Sequence, residues 1–249
     1  MLINTDINIL GGLPDFNLIN HFLFDSERHS EKEGRQVFTT IKTDKSVKRF
    51  EKAIMGTFLQ FKSKDLEYLV RSMLSTESIS ENSLLMLFWN ASVNNDLLQY
   101  LNSRVYFPAF YSGRLVLKKE EIGACIKELK ETDITVQDWT IVTIETVARK
   151  YLTLLKKFNL MEGALTKKII HPYLTDKMFI LFIYWITSIE TKPNLLESEW
   201  IQYCFCERPV FIERLLQKKF SKFFQLAYTG DKLNIETSLP YATIYDAVK

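Results

Sequence analysis

Glycine and proline are scarce, eight and six in 249 residues. With so few turn-formers a many-stranded β-sandwich or barrel is excluded, and the expectation moves to a mainly α chain. Only three cysteines occur, Cys125, Cys204 and Cys206, which form no even disulfide framework. Cys204 and Cys206 stand too close for an ordinary zinc knuckle, so the cysteines read as reduced structural thiols in a reducing compartment. The opening MLINTDINILGGLPD has neither the basic start nor the apolar run of a secretory leader, and no uncharged apolar stretch reaches spanning length. The expected location is the cytoplasm, with no membrane partner. The most apolar run, Met178 to Ile189, has 12 residues between Lys177 and Glu190, the length of a buried core helix.

The motifs of catalysis are also missing. There is no glycine-rich phosphate loop, no Gly-x-Ser-x-Gly elbow and no His-Glu-x-x-His. The three histidines, His21, His29 and His171, are isolated, and His21 within an apolar helix suits core packing better than catalysis. Pro14-Asp15 and Glu128-Leu129-Lys130 imitate a nuclease pattern but lie more than a hundred residues apart on predicted helices. The chain is therefore read as non-catalytic, with no cofactor and no metal site.

What is present is an ordinary globular composition, 47% hydrophobic and 25% charged, without internal repeats. Apolar residues at helical spacing predict helices from Pro14 to Phe24, from Val47 to Phe61, from Asp65 onward, and through SLLMLFWNA. The polar stretch SERHSEKEGR precedes the second of these. A further helix from Leu97 is expected to stop at Pro108, with a joint over Pro108 to Gly113. Lys118 to Glu131 reads as an amphipathic helix, Ile122, Ile126 and Leu129 inward. Beyond it Asp138 caps a short helix, a long helix runs from about Ile144 to Phe158 and stops at Asn159, and KKIIH forms a strand. This is the order of a winged helix-turn-helix over residues 136–174. The remainder reads as helices over Thr175 to Thr187, Leu195 to Phe205 and Pro209 to Tyr228, the last broken by Gly230. LNIETSLPY follows as a strand and the last residues as a poorly ordered end. The expected division is a helical bundle over 1–112 and a helical region over 113–249, or one continuous domain.

Net charge is only +2, so local segregation must carry any case for a polyanionic partner. Between Trp139 and Pro172 there are six cations (Arg149, Lys150, Lys156, Lys157, Lys167, Lys168) against two acids (Glu145, Glu162). Thr146, Arg149, Thr153 and Lys156 fall on one stripe of the long helix, and Lys150 and Lys157 also lie off its apolar side. Such a stripe suits a major groove, where arginine matches the paired acceptors of guanine. Lys167 and Lys168, at the wing strand, are phosphate candidates. Lys45, Lys48, Arg49 and Lys52 form a second stripe, and Arg208, Arg214, Lys218, Lys219 and Lys222 a looser cluster. A charged stripe equally solvates the outer face of an amphipathic helix. The aromatics of Val105 to Tyr111 read either as an interhelical plug or as a recognition loop.

The Gly-Gly opening, the Ser46-Val-Lys-Arg-Phe50 helix start, the VYFPAFYSGRLVL joint and WTIVTIETVARKYLTLLKKFNLMEG, in that order, resemble the BrxA-like accessory proteins of BREX phage-defence systems. The likeness spans most of the chain. It implies a nearly all-helical cytoplasmic protein, akin in part to NusB-like folds, that binds double-stranded DNA and supports phage restriction without a known catalytic centre. Some relatives carry an inner-membrane label, which this sequence, lacking a spanning segment, does not inherit. The expectation is a DNA-binding accessory protein working with other subunits of the defence system. The alternatives are a protein-interaction scaffold using the apolar joint at Phe107 to Tyr111, and an RNA-binding helical protein.

Overall fold

The computed structural model describes residues 3, 5–25, 41, 43–74 and 79–249. His29, the SERHSEKEGR stretch and the serine-rich turn after Leu74 lie outside the described residues. The fold is mainly α, with two small two-stranded antiparallel sheets among the described residues. The chain forms two compact units, residues 1–60 with 76–170, and residues 61–75 with 171–249. The Pro108–Gly113 segment lies inside the first.

In chain order the regular elements begin with α1 (Ile7–Leu10), α2 (Asn17–Asp25), α3 (Asp44–Thr57), α4 (Lys64–Leu74), α5 (Glu81–Asn94) and α6 (Asp96–Leu101). A π-helical turn (Asn102–Tyr106) then leads into α7 (Phe107–Tyr111), α8 (Lys119–Thr132), α9 (Ile141–Lys157) and the hairpin β1 (Met161–Glu162) and β2 (Lys168–Ile169). Next come α10 (Asp176–Ile189), two short 3-10 helices (Leu195–Glu197 and Glu199–Cys204) and α11 (Arg208–Leu215). A 3-10 turn (Lys218–Phe220), β3 (Phe224–Tyr228), β4 (Leu233–Thr237) and α12 (Tyr241–Ala247) complete the chain. Side-chain caps fix several starts: Thr43, Ser80, Asn95, Thr140 and Thr175 each accept a backbone N–H of the first turn.

Three local expectations are corrected. The helix does not stop at Pro108, because the preceding turn is π-wound and the Phe107 N–H reaches back to the Asn102 carbonyl. The wider turn makes room for a ring with no N–H to offer, and the helix continues to Tyr111 before Gly113, at φ 71°, ends it. Residues 134–138 form a turn, so Asp138 caps no helix. Thr140 instead starts α9 three residues before the expected Ile144, and the β-branched residues are accommodated in its first turns. The helix expected over Pro209 to Tyr228 ends at Leu215. Leu216 is half exposed, and Phe224 to Tyr228 pairs with Leu233 to Thr237 in a hairpin turned at Gly230, φ 95°. The chain end is the helix α12.

The first unit closes around four phenylalanines at the C-terminal end of α9. Phe158 meets Phe16 and Phe88 at 5.4 Å and Phe58 at 6.0 Å, and Phe16 meets Phe58 at 5.5 Å. The cluster clamps the segment after α1 against α9 and beside the end of α3. Gly11 makes this possible: a Cβ there would stand 2.5 Å from the Lys150 carbonyl oxygen. Buried polar groups tie the other side of α9. Tyr151 donates to Asn102 Oδ1 at 2.8 Å, and Asn102 Nδ2 donates to Ser92 Oγ at 3.0 Å, joining α9, the π turn and α5. Met161 pairs with Ile169 in the hairpin, and Val116 bridges to Lys168 as a third strand position.

In the second unit the run Met178 to Ile186 is buried along its whole length, the core helix expected. Tyr184 anchors it by donating to the Phe223 carbonyl at 2.8 Å and accepting from the Leu239 N–H at 3.0 Å. At its start Lys219 and Arg214 reach Asp176 at 2.5 and 3.0 Å and hold its carboxyl below the usual range.

Two outcomes follow for stability. Tyr151→Phe should destabilise by about 1–2 kcal/mol and Asn102→Leu by about 2–3, each stranding a buried polar group. The double variant should cost less than their sum in urea unfolding. Lys157 sits half-buried with its ammonium on the Leu13 carbonyl and 5.6 Å from the Phe16 ring centroid. Burial, aided by Lys150, lowers its pKa from 10.5 to about 8. Below pH 8 the folded and unfolded states both carry this proton and the folded state bears the full penalty; between about 8 and 10.5 only the unfolded state retains it, so stability from this group rises with pH. Lys157→Met should therefore raise the melting temperature at pH 7, and its advantage over the wild type should shrink as pH approaches 10.5.

Candidate nucleic-acid interface

The long helix α9 has three environments around its circumference. Val147, Ala148, Tyr151, Leu152, Leu155 and the capping Phe158 are buried, as the spacing predicts. The side carrying Lys150 and Lys157 is crossed by α1 and the residues after it, so these two cations are half-covered rather than outward. Lys157 is committed to Leu13 and leaves the expected outward set. The third side is open: Val142, Glu145, Arg149 and Lys156 are exposed, with Thr146 and Thr153 half-buried between them.

The open stripe is stitched along its own axis. Arg149 Nη2 donates to Thr146 Oγ1 at 3.3 Å, and Thr153 Oγ1 donates to the Arg149 carbonyl at 2.9 Å. The guanidinium is thus directed toward the helix N-terminus, while the Thr153 hydroxyl proton is turned inward and only its oxygen remains as an acceptor. Neither Arg149 nor Lys156 forms an ion pair with a described residue.

The hairpin separates the two lysines that the sequence groups together. Lys167 donates to the Gly163 and Ala164 carbonyls at 2.9 and 3.0 Å and so braces its own loop. Partial desolvation and the nearby Lys156 lower its pKa. Lys168 is exposed and forms no ion pair with a described residue, and Leu165 at the tip is fully exposed.

On α3, Lys45, Lys48, Arg49 and Lys52 are all exposed and make no hydrogen bond or ion pair with a described residue. Arg49 borders a notch with Asn8, Ile9, Gly12, Ser46 and Phe50. The Lys150 ammonium lies 3.3 Å from the place a Cβ on Gly12 would take. Arg49 of the α3 stripe and Lys150 on the covered side of α9, about a hundred residues apart in sequence, therefore both reach Gly12. Sequence reading did not assign Asn8, Gly12 or Ser46 to the site; the adjacent glycines in a glycine-poor chain were the available signal.

The third basic cluster is different in kind. Arg214 is buried, paired with Asp176 and stacked 4.4 Å from the Phe179 ring centroid, and Lys219 shares the same carboxylate. This cluster organises the second unit. Phe107 and Phe110 are buried and Tyr111 is half-buried, so the Val105 to Tyr111 aromatics form a plug rather than a recognition loop. Among the described residues no group of three or more metal-ligating side chains occurs, and no helix is long and apolar enough to cross a membrane.

Residues 35–183, more than half of the chain, match the sequence model of the BrxA family. No curated protein and no solved structure matches the chain. The matched span contains α3, α9 and the β1–β2 hairpin together with the plug and the four-phenylalanine core residues after Phe16. The chain belongs to the BrxA family of accessory proteins of the BREX phage-defence systems.

Proposed function

We propose that the chain is a non-catalytic, duplex-DNA-binding subunit of its defence system, acting in the cytoplasm with other subunits, and that α9 is the element that enters the major groove. The observation that carries this reading is the open stripe of α9, whose Arg149 and Lys156 have no carboxylate partner among the described residues. Exposed cations held on a rigid helix without a carboxylate partner among the described residues are suited to phosphates and base acceptors.

The order of elements around α9 supports the same reading. Leu117 N–H donates to the Lys167 carbonyl and Ile169 N–H to the Leu115 carbonyl, so a short extended segment precedes α8 and pairs with β2. Extended segment, helix, turn, helix and hairpin, with the first strand joined to the last, follows the order of elements in a winged helix-turn-helix and so supports that reading. In it α9 would be the recognition helix and the β1–β2 loop the wing. Exposed Val142 and half-buried Thr146 would then stand at base edges, and Lys168 at a phosphate.

The scaffold alternative loses its motivating surface, since Phe107 and Phe110 are buried. RNA is separated from DNA by groove shape, because the deep, narrow major groove of A-form RNA does not admit a helix. Binding of the full chain to a labelled random duplex should fall about a thousandfold between 50 and 200 mM salt if about six phosphates are contacted. Arg149→Glu with Lys156→Glu should weaken binding at least tenfold and flatten the salt slope by about two counterions. Duplex RNA should compete poorly. Unchanged binding in the double variant would remove α9 from the interface, and stronger competition by RNA than by DNA would replace the major-groove reading.

A further inference from the structure

We propose that the notch at Gly12 seats one phosphate of the nucleic-acid backbone, held jointly by Arg49 of α3 and Lys150 of α9. The inference rests on the duplex-binding reading above and adds a second, separately located contact to it.

The notch has a volume of about 180 Å³ and is lined by Asn8, Ile9, Gly12, Ser46, Arg49 and Phe50. It contains hydrogen-bond donors and no acid: the Arg49 guanidinium, the Asn8 amide and the Ser46 hydroxyl, which accepts from Thr43 at 2.9 Å and keeps its own proton to donate. The Lys150 ammonium stands at its edge, 3.3 Å from the Cβ position of Gly12. Among the described residues, Asn8, Arg49 and Lys150 make no hydrogen bond or ion pair. Two cations are thus brought to one glycine with no carboxylate among the lining residues, a like-charge arrangement that an anion relieves.

The backbone shape suits the same ligand. Gly11 brings α1 into contact with the Lys150 main chain, so the lysine stem is held along the crossing segment and its ammonium emerges at Gly12. Any side chain at Gly12 would occupy that exit. The planar fork of Arg49 matches the two non-bridging oxygens of one backbone phosphate, and Lys150 adds a point charge to the same oxygens. A phosphate at Gly12 would lie where α3 meets the side of α9 that α1 crosses, a contact separate from the Arg149–Lys156 stripe.

The test is a salt series on a labelled random duplex with Arg49→Gln, Lys150→Gln and the double variant, beside Arg149→Glu/Lys156→Glu. Melting temperatures are measured in parallel to establish that each variant is folded. If both side chains hold one phosphate, each single substitution lowers the slope by about one counterion and the double lowers it by the same one, not two. Affinity losses should be about five- to tenfold singly and less than multiplicative together. Wild-type slopes in all three notch variants, or a loss of about two counterions in the double, would overturn the shared seat. Loss of binding in the α9 variant alone would do so while leaving duplex binding intact, whereas a wild-type protein that binds no duplex would remove both readings. Inorganic phosphate at matched ionic strength is the final arm. Displacement of the duplex by millimolar phosphate, abolished in the notch variants, is expected of a seat the duplex occupies; phosphate that raises the melting temperature of the wild type but not of the notch variants, while the duplex stays bound, would assign the seat to free phosphate instead of the backbone.

Discussion

The packing of four phenylalanines around the end of α9 is the constraint on which the rest of the first unit depends. Phe16, Phe58, Phe88 and Phe158 come from four separate stretches of chain and meet edge-on or tilted within 5.4 to 6.0 Å along the contacts described. Such pairs contribute about 0.5–1.5 kcal/mol each beyond the area they bury. Here their geometric effect matters more. With Phe16 and Phe58 fixed to the same ring, the segment after α1 and the end of α3 have one position relative to α9. The crossing at Gly11, the half-burial of Lys150 and Lys157 and the approach of the α3 stripe to Gly12 follow from that single anchorage.

The charges divide into two populations that the overall balance conceals. Arg71, Arg114, Arg214 and Lys219 have carboxylate partners within 3.0 Å, and their work is internal. The cations of α3, and Arg149, Lys156 and Lys168, have none among the described residues. A net charge of +2 is the sum of a neutralised set and an unneutralised one, and only the second can release counterions from a polyanion.

Much of this was legible in the sequence, for physical reasons that differ by element. The core helix over Met178 to Ile186, the inward residues of α8, the stop at Asn159 and the strand at Lys168 follow from periodicity, length and turn chemistry, which act locally. Asn159 has φ 58°, the left-handed conformation that ends a helix. The failures arose where tertiary packing outweighed local preference. Phe220, Phe223 and Phe224 satisfy a helical spacing, yet the pairing of Leu226 with Ile235 and Tyr228 with Leu233 makes the segment a strand. Pro108 carries a strong local stop, overridden by a π turn that depends on residues before it. In the site, the stripe of α9 was readable, but the capture of Lys157 by Leu13 and the meeting of Arg49 with Lys150 at Gly12 involve residues over a hundred positions apart, beyond any periodicity.

The π turn at Asn102–Tyr106 also sets which changes of length the chain can absorb. An α-helix rotates about 100° per residue, and the π turn holds one residue more than the α-helical count would place there. Removing one residue would restore regular winding and swing Phe107 and Phe110 about a quarter-turn out of the core, toward the side now occupied by exposed Arg104 and Pro108. Adding one would do the same in the other sense. The number of residues in this turn is therefore fixed, and Asn102 is fixed in kind as well by its bonds to Tyr151 and Ser92. The hairpin loop over 163–166, exposed throughout, is the opposite case and is where added residues would meet solvent and not the core.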